Sequence, residues 1–223
     1  MSARRVLRAG GLWFDGVSAY ASTSFGLRSY PATVMAWVCY NTLLTTTYTN
    51  IVSQGVSATD RTWQIGHHRF SPYPFRVVLY FTDESSVYFL SSTPISVGKW
   101  YHVALVIGVS AAELYIDGAL ERSVAYDKAL KTGGVVEIGR LSRAAEYHPG
   151  LIDDVRIYNR ALSADEIRAI YERGALIRDG LVLHLDFSEY EGNIAYDKSG
   201  CGNHATIYGA RWAVKKPLRV LQR

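Results

Sequence analysis

Apolar and polar residues alternate along this chain in short runs: TVMAWVCY (33–40), FRVVLYF (75–81), SVYFL (86–90), WYHVALVI (100–107), VVEIG (135–139), IDDVRIY (152–158) and LVLHLDF (181–187). A period near two marks strands with one face buried. Several such strands, separated by turn residues, predict two packed sheets or a barrel. Within AELYIDGALERS (112–123), Asp117-Gly118 can supply the positive φ angles of a type I′ turn, so a hairpin is expected there. One segment, LSADEIRAIYERG (162–174), has helical spacing instead. Ser163 is placed as its N-cap, Glu166 completes a capping box, Leu162 and Ile167 are spaced as a hydrophobic staple, and Gly174 can close the C-terminus. Ile167, Ile170 and Tyr171 form its apolar stripe, the face of a short helix lying on the sandwich.

Composition changes this picture little, whereas charge changes it more. The 223 residues include 16 Tyr and 19 Gly, which favours strands joined by tight turns. No apolar run approaches the ~20 residues that span a bilayer. The opening MSARRVLRAGGLWFDG lacks the apolar stretch of a secretory signal, so synthesis in the cytoplasm without Sec export is expected. Cys39 and Cys201 are too few for a disulfide framework and match no zinc spacing. The net charge of +4 is unevenly spread: Arg4, Arg5 and Arg8 near one end and Lys215, Lys216, Arg219 and Arg223 near the other have no acid among them, and removing these seven leaves the body at −3. A negative body, with tails that lack interleaved aromatics, argues against specific nucleic-acid recognition. Arg (18) outnumbers Lys (6), while Gln (3) and Asn (5) are scarce, a bias that points towards a hot environment.

The string GKWYHVALVIGVSAAELYIDG (98–118), followed by GLIDDVRIYNRALSADEI (150–167), resembles the laminin-G-like, concanavalin A-like jelly-roll family, as do FDGVSAY (14–20) and TVMAWV (33–38). The resemblance implies an all-β fold, a concanavalin A-like two-sheet antiparallel β-sandwich (jelly roll) with one short helix. The usual member of that family begins with a strand like LVLHLDF and a loop like YDKSGCGN. Here that block (181–209) comes last, so a circularly permuted sandwich over residues 12–212, flanked by basic tails at 1–11 and 213–223, is expected. Chain ends that meet on a sandwich allow such rotation. The same order also fits strand exchange, in which 181–209 completes a neighbouring subunit.

Candidate chemistry is sparse. A glycosidase needs two carboxylates ~5 Å apart, or farther for inversion, which on one strand means i, i+2 spacing. Glu189-x-Glu191 has that spacing but falls in a loop, and the adjacent Asp153 and Asp154 should point to opposite faces. With no Ser-His-Asp order, phosphate loop or HExxH string, no catalytic residue is assigned and a non-enzyme is expected. His102, between Trp100 and Ala104, is expected in a core-facing register as a structural imidazole.

Two binding sites are expected. Residues 60–75 (DRTWQIGHHRFSPYPF) carry Trp63, Phe70 and Tyr73 interleaved with Gln64, His67, His68 and Arg69. Aromatic faces with a few oriented donors are what a glycan or partner surface needs. Strand alternation should send half of these aromatics inward, and the neighbours His67 and His68 should point apart rather than share a metal. YDKSGCGNHA (196–205) offers Asp197 and Asn203, with Asp153 near the last strand, as ligands for a structural calcium, which some relatives hold. The other reading of that loop is a Gly-rich turn capped by Asp197.

The function these features imply is a virion surface or decoration protein, exposed on a particle, whose basic tails dock on a protein lattice or neighbouring subunits. The alternative is a glycan-binding adhesion module; a glycoside hydrolase is the least favoured.

Overall fold

The computed structural model describes residues 10–57, 59–141 and 144–213. In chain order the strands are β1 (Leu12–Asp15), β2 (Tyr20–Thr23), β3 (Ala32–Tyr40), β4 (Thr49–Gly55), β5 (Arg61–His67), β6 (Pro74–Tyr80), β7 (Ser86–Pro94) and β8 (Trp100–Ile107). There follow β9 (Ala111–Ile116), β10 (Ala119–Ala125), β11 (Val135–Ile138), β12 (Pro149–Tyr158), helix α1 (Ala164–Arg173), β13 (Leu181–Leu185), β14 (Ile194–Ala195), β15 (Ala205–Tyr208) and β16 (Arg211–Trp212). They form two antiparallel sheets of eight strands each. One runs β10-β9-β8-β3-β12-β1-β16 with β13 also beside β12, and the other runs β14-β15-β2-β11-β4-β5-β6-β7.

Between the sheets lies the main core, with Phe14, Val34, Trp63, Leu79, Leu105, Ile138 and Ile157 among its buried members. A second apolar layer forms where α1 covers the outside of the first sheet, joining Met35, Ala104, Tyr115 and Tyr158 to Ile167 and Ile170. This double cover explains why β3 reads as an almost unbroken apolar run: all nine of its residues are buried, as expected for a strand packed on both faces. His102 belongs to the outer layer rather than the sandwich interior, against Trp37 and Tyr171 at ring-centroid distances of 5.3 and 6.0 Å. The expected core-facing register thus holds for burial but places His102 on the helix side.

The helix forms as its local signals require. The Ser163 side chain accepts from the Glu166 N–H, the Glu166 carboxylate accepts from the Ser163 N–H at 2.8 Å, and Gly174 closes the helix at φ 63°. Asp117 and Gly118 both have positive φ, 51° and 79°, and join β9 to β10.

The last strands pair within the same chain: β13 with β12, β15 with β2, and β16 with β1, where Leu12 faces Trp212. The Ala213 N–H donates to the Gly11 carbonyl at 2.9 Å, so the two ends of the described chain leave the same edge side by side. The expected docking residues Arg4, Arg5, Arg8, Lys215, Lys216, Arg219 and Arg223 lie outside the described residues. No described helix is long and apolar enough to cross a membrane.

Candidate functional site

Strand β5 sets the geometry. Trp63 and Ile65 point inward and join the core. His67 follows the same alternation and sits against Tyr40, with its Nδ1 3.3 Å from the Thr49 hydroxyl. Gln64 and Gly66 therefore point to the outer face of the second sheet, yet Gln64 is only 1% exposed. Arg140 and Tyr147 form an isolated bridge, and Arg140 and Glu146 beside it are tied to β4. The Ser53 hydroxyl donates to the Arg140 carbonyl at 2.8 Å, and Asn50 Nδ2 donates to Glu146 Oε2 at 2.8 Å.

Glu146 also pairs with Arg76 Nη2 at 3.4 Å. Asn50 and Arg76 are the cross-strand neighbours of Gly66 in β4 and β6, so the carboxylate bridges the two strands flanking a residue without a side chain. Gly66 is required there, since a Cβ would stand 1.8 Å from the Thr49 carbonyl oxygen. Around this bridge, several buried polar atoms have no hydrogen-bond partner: Asn50 Oδ1, both amide atoms of Gln64, and Nε of Arg69 and Arg76. Such atoms are costly to leave unpaired.

Beside them, the turn from β5 to β6 carries the exposed part of the site. Phe70 is 54% exposed. The Arg69 guanidinium carbon lies 4.7 Å from the Phe70 ring centre and 5.1 Å from that of Tyr48, and the Arg76 carbon lies 4.0 Å from Tyr48. His68 contacts both Tyr48 and Phe70 at 5.5 and 5.4 Å. Burial, helped by the Arg76 charge, pulls the His68 imidazole below its ordinary pKa, which favours its neutral form. Burial also pulls Arg76 down while Glu146 pulls it back up.

Of the seven residues expected on a glycan surface, His68, Arg69 and Phe70 thus share a partly exposed platform. Gln64 is buried, Trp63 and His67 are interior, and Tyr73 stacks on His67 with ring centres 5.9 Å apart. Tyr48, Arg76, Asn50 and Glu146 complete the site, and no spacing pattern marks them, because folding gathers them from three separate segments.

The calcium expectation meets a different arrangement. Asp197 Oδ1 accepts from the backbone N–H groups of His184 and Ser199, at 2.8 and 2.9 Å, and Oδ2 accepts from the Ser199 hydroxyl and the Asn203 N–H, at 2.7 and 2.9 Å. A carboxylate has about four lone-pair sites, and these four contacts come from the loop and from β13. The Asn203 amide donates to the Val182 carbonyl, and Asp153 accepts from the Asp154 N–H in β12. Among the described residues no group of three or more His, Cys, Asp and Glu could hold a metal ion. The loop has the geometry of an Asp-capped turn.

The carboxylates are likewise engaged structurally. Glu189 accepts from the Tyr196 N–H and pairs with Lys198 at 3.0 Å. Asp154 holds Arg156 through two hydrogen bonds and contacts His184 Nε2 at 2.9 Å. Cys39 and Cys201 are both free thiols.

The sequence model of the Laminin_G_3 family, described as the Concanavalin A-like lectin/glucanases superfamily, matches residues 14–168, well over half of the chain. No curated protein sequence matches it. Among solved structures, a candidate carbohydrate binding protein from Bacteroides ovatus ATCC 8483 is 15% identical, with a TM-score of 0.71 over 92% of this chain, which spans 59% of that protein. The native heptameric SAP-like pentraxin from Limulus polyphemus is 20% identical, with a TM-score of 0.58 over 74% of this chain and 82% of its own. The CBM40 of Ruminococcus gnavus IT-sialidase, solved with alpha2,3 sialyllactose, is 17% identical, with a TM-score of 0.53 over 63% of this chain and 82% of its own. At these identities the likenesses concern the fold alone.

Proposed function

Since the chain belongs to the Concanavalin A-like lectin/glucanases superfamily, we propose that it is a non-catalytic glycan-binding module whose contact surface is the platform of Tyr48, His68, Arg69 and Phe70. One observation carries this proposal: an exposed aromatic ring, Phe70, lies against the Arg69 guanidinium, itself beside Tyr48. Sugars present C–H faces to aromatic rings and hydroxyls to fixed donors and acceptors, and such a surface offers both. The carbohydrate-related names of two of the structural neighbours support the reading without defining a ligand. Hydrolysis is disfavoured because the platform's carboxylate, Glu146, is held by Asn50 and Arg76, whereas glycosidases set a second carboxylate across the bond.

Phe70→Ala tests the proposal by glycan array and calorimetry. Removing the ring should weaken any bound glycan about tenfold, the effect of losing one aromatic contact, and leave the melting temperature unchanged. A positive array with unaltered binding in the variant would move the site elsewhere.

Particle decoration remains a second reading. Its support is the adjacency of Gly11 and Ala213, which brings the two ends of the described chain together. Deleting residues 1–8 and 216–223 should then abolish particle association and preserve glycan binding; unchanged loading would reject docking by the tails.

A further inference from the structure

A second aromatic group stands on the outer face of the same sheet, near its opposite edge. Strand β15 pairs with β2 so that Tyr208 faces Tyr20 and Thr206 faces Ser22. Ala205 and Ile207 join the core, so Thr206 and Tyr208 point outward by the alternation of a strand. The two tyrosine rings are stacked, with centres 4.6 Å apart and planes 16° apart. Tyr20 also carries the Arg140 guanidinium, whose carbon lies 3.4 Å from its ring centre.

The stack is open at the Tyr208 end. Ile194 faces Thr206 across the β14–β15 pair, and the Ile207 N–H donates to the Asn193 carbonyl at 2.8 Å. One step further, the same register sets Gly192 opposite Tyr208. Glycine leaves that place empty: beyond its chain neighbours, a Cβ on Gly192 would meet no atom within 4 Å. Tyr208 is accordingly 47% exposed, with one ring face covered by Tyr20 and the other turned to solvent.

Charge here is settled internally. Arg140 pairs with Glu137, and their side chains are 13% and 4% exposed. Thr206 and Ser22, both partly exposed, border the rings with hydroxyls. A flat apolar face bordered by hydroxyls suits an uncharged sugar, which lays its C–H face on the ring and turns its own hydroxyls to the border. A single ring face is far smaller than the roughly 800 Å² that each partner of a stable protein interface buries. We infer that Tyr208 is the contact of a second sugar site, which takes a neutral pyranose ring on its open face above Gly192. The ligand class rests on the glycan-binding reading, but the site is separate from the Phe70 platform, with β11 and β4 lying between β2 and β5.

The test is calorimetry on the full chain carrying Phe70→Ala, so that the first platform does not contribute, with cellotetraose, maltotetraose, mannotriose and lactose as neutral probes. At least one should still bind. Adding Tyr208→Thr, which keeps a strand-forming residue, should weaken it about tenfold, the scale of one aromatic contact. Adding Gly192→Asn instead should do the same by filling the space over the ring, since Asn tolerates the positive φ of 76° at that position. If Tyr208→Thr melts lower, Gly192→Asn, which keeps both rings, carries the comparison. Probes that bind wild type but not Phe70→Ala overturn this inference and keep the platform. Unchanged binding in both added variants overturns it as well, and a loss in Tyr208→Thr without one in Gly192→Asn overturns the placement above Gly192. Sedimentation that shows wild type self-associating and Tyr208→Thr monomeric assigns the ring to a contact between copies, which also overturns it. Binding of no probe by wild type removes this site and leaves the platform to its own array.

Discussion

His67 and His148 flank Tyr40 at one end of the sandwich interior, with ring-centre distances of 5.7 and 4.5 Å from it. Neither is exposed. Burial lowers the His67 pKa to about 4, with the charges of His68 and Arg76 adding to the effect, and lowers that of His148 to about 3. An unfolded histidine titrates near 6.5, so below that pH the unfolded chain binds protons that the folded chain refuses. Stability is therefore whole above pH ~6.5 and declines as the pH falls towards the folded values. The carboxylates act in a lower window. For Asp15, burial raises the pKa, but three backbone N–H groups outweigh it and hold the pKa at about 2, and Glu166 is held at about 2 chiefly by Arg160; their stabilisation is lost only below about pH 4. Unfolding followed between pH 6.5 and 4.5 should thus show a loss of about 2 kcal/mol per buried histidine, and His67→Phe should flatten the slope. An unchanged slope in the variant would place the proton uptake elsewhere. None of this burial could be read from composition: the HH pair predicts opposed side chains, but which one enters the core depends on the register of β5.

Elements whose instructions are local were readable in advance. The capping box of α1 and the Asp117-Gly118 turn each need only a few consecutive residues, and β3 and β8 announce themselves by apolar runs. Strands β4 and β5 do not. Every residue of β4 is buried, yet four of its seven are the polar Thr49, Asn50, Ser53 and Gln54, which by pattern resemble a loop. Their partners are remote: Gln54 bonds the backbone of Leu27 and Gly133, Ser53 that of Arg140, and Asn50 the side chain of Glu146. Buried polar groups are stable only when so paired, and the pairing exists only after the sheet has formed. For the same reason the candidate site was half visible. His68, Arg69 and Phe70 are contiguous in the sequence, but Tyr48, Arg76 and Glu146 reach them through strand pairing, and the need for glycine at position 66 arises from the Thr49 carbonyl across the ladder.

At the scale of the molecule, the order of segments and the location of the ends are one question. The block from Leu181 onward closes the sandwich on three different neighbours, β12, β2 and β1, so its removal would strip strands from both sheets. The strands at the two ends of the described chain, β1 and β16, are themselves a pair. Linking Ala213 to Gly11 by a short flexible connector should consequently strain nothing, because a backbone hydrogen bond already joins them. New ends can be opened between Leu176 and Ile177, beside the exposed Leu176, in the segment leading from α1 to β13. The rearranged chain, which would begin near β13 and finish after α1, should fold to the same sandwich with stability within about 1 kcal/mol of the original, because exposed loops tolerate such cuts and every sheet contact is kept. Circular dichroism with denaturant titration measures this, and sizing across a range of concentrations asks whether the pairing stays within one chain. If 181–209 instead completes a neighbour, the original chain should form concentration-dependent oligomers, and the rearranged chain, with that block held next to β1 by the new linker, should become monomeric. The same size for both chains, at every concentration, would leave the cis pairing as the sole arrangement in solution.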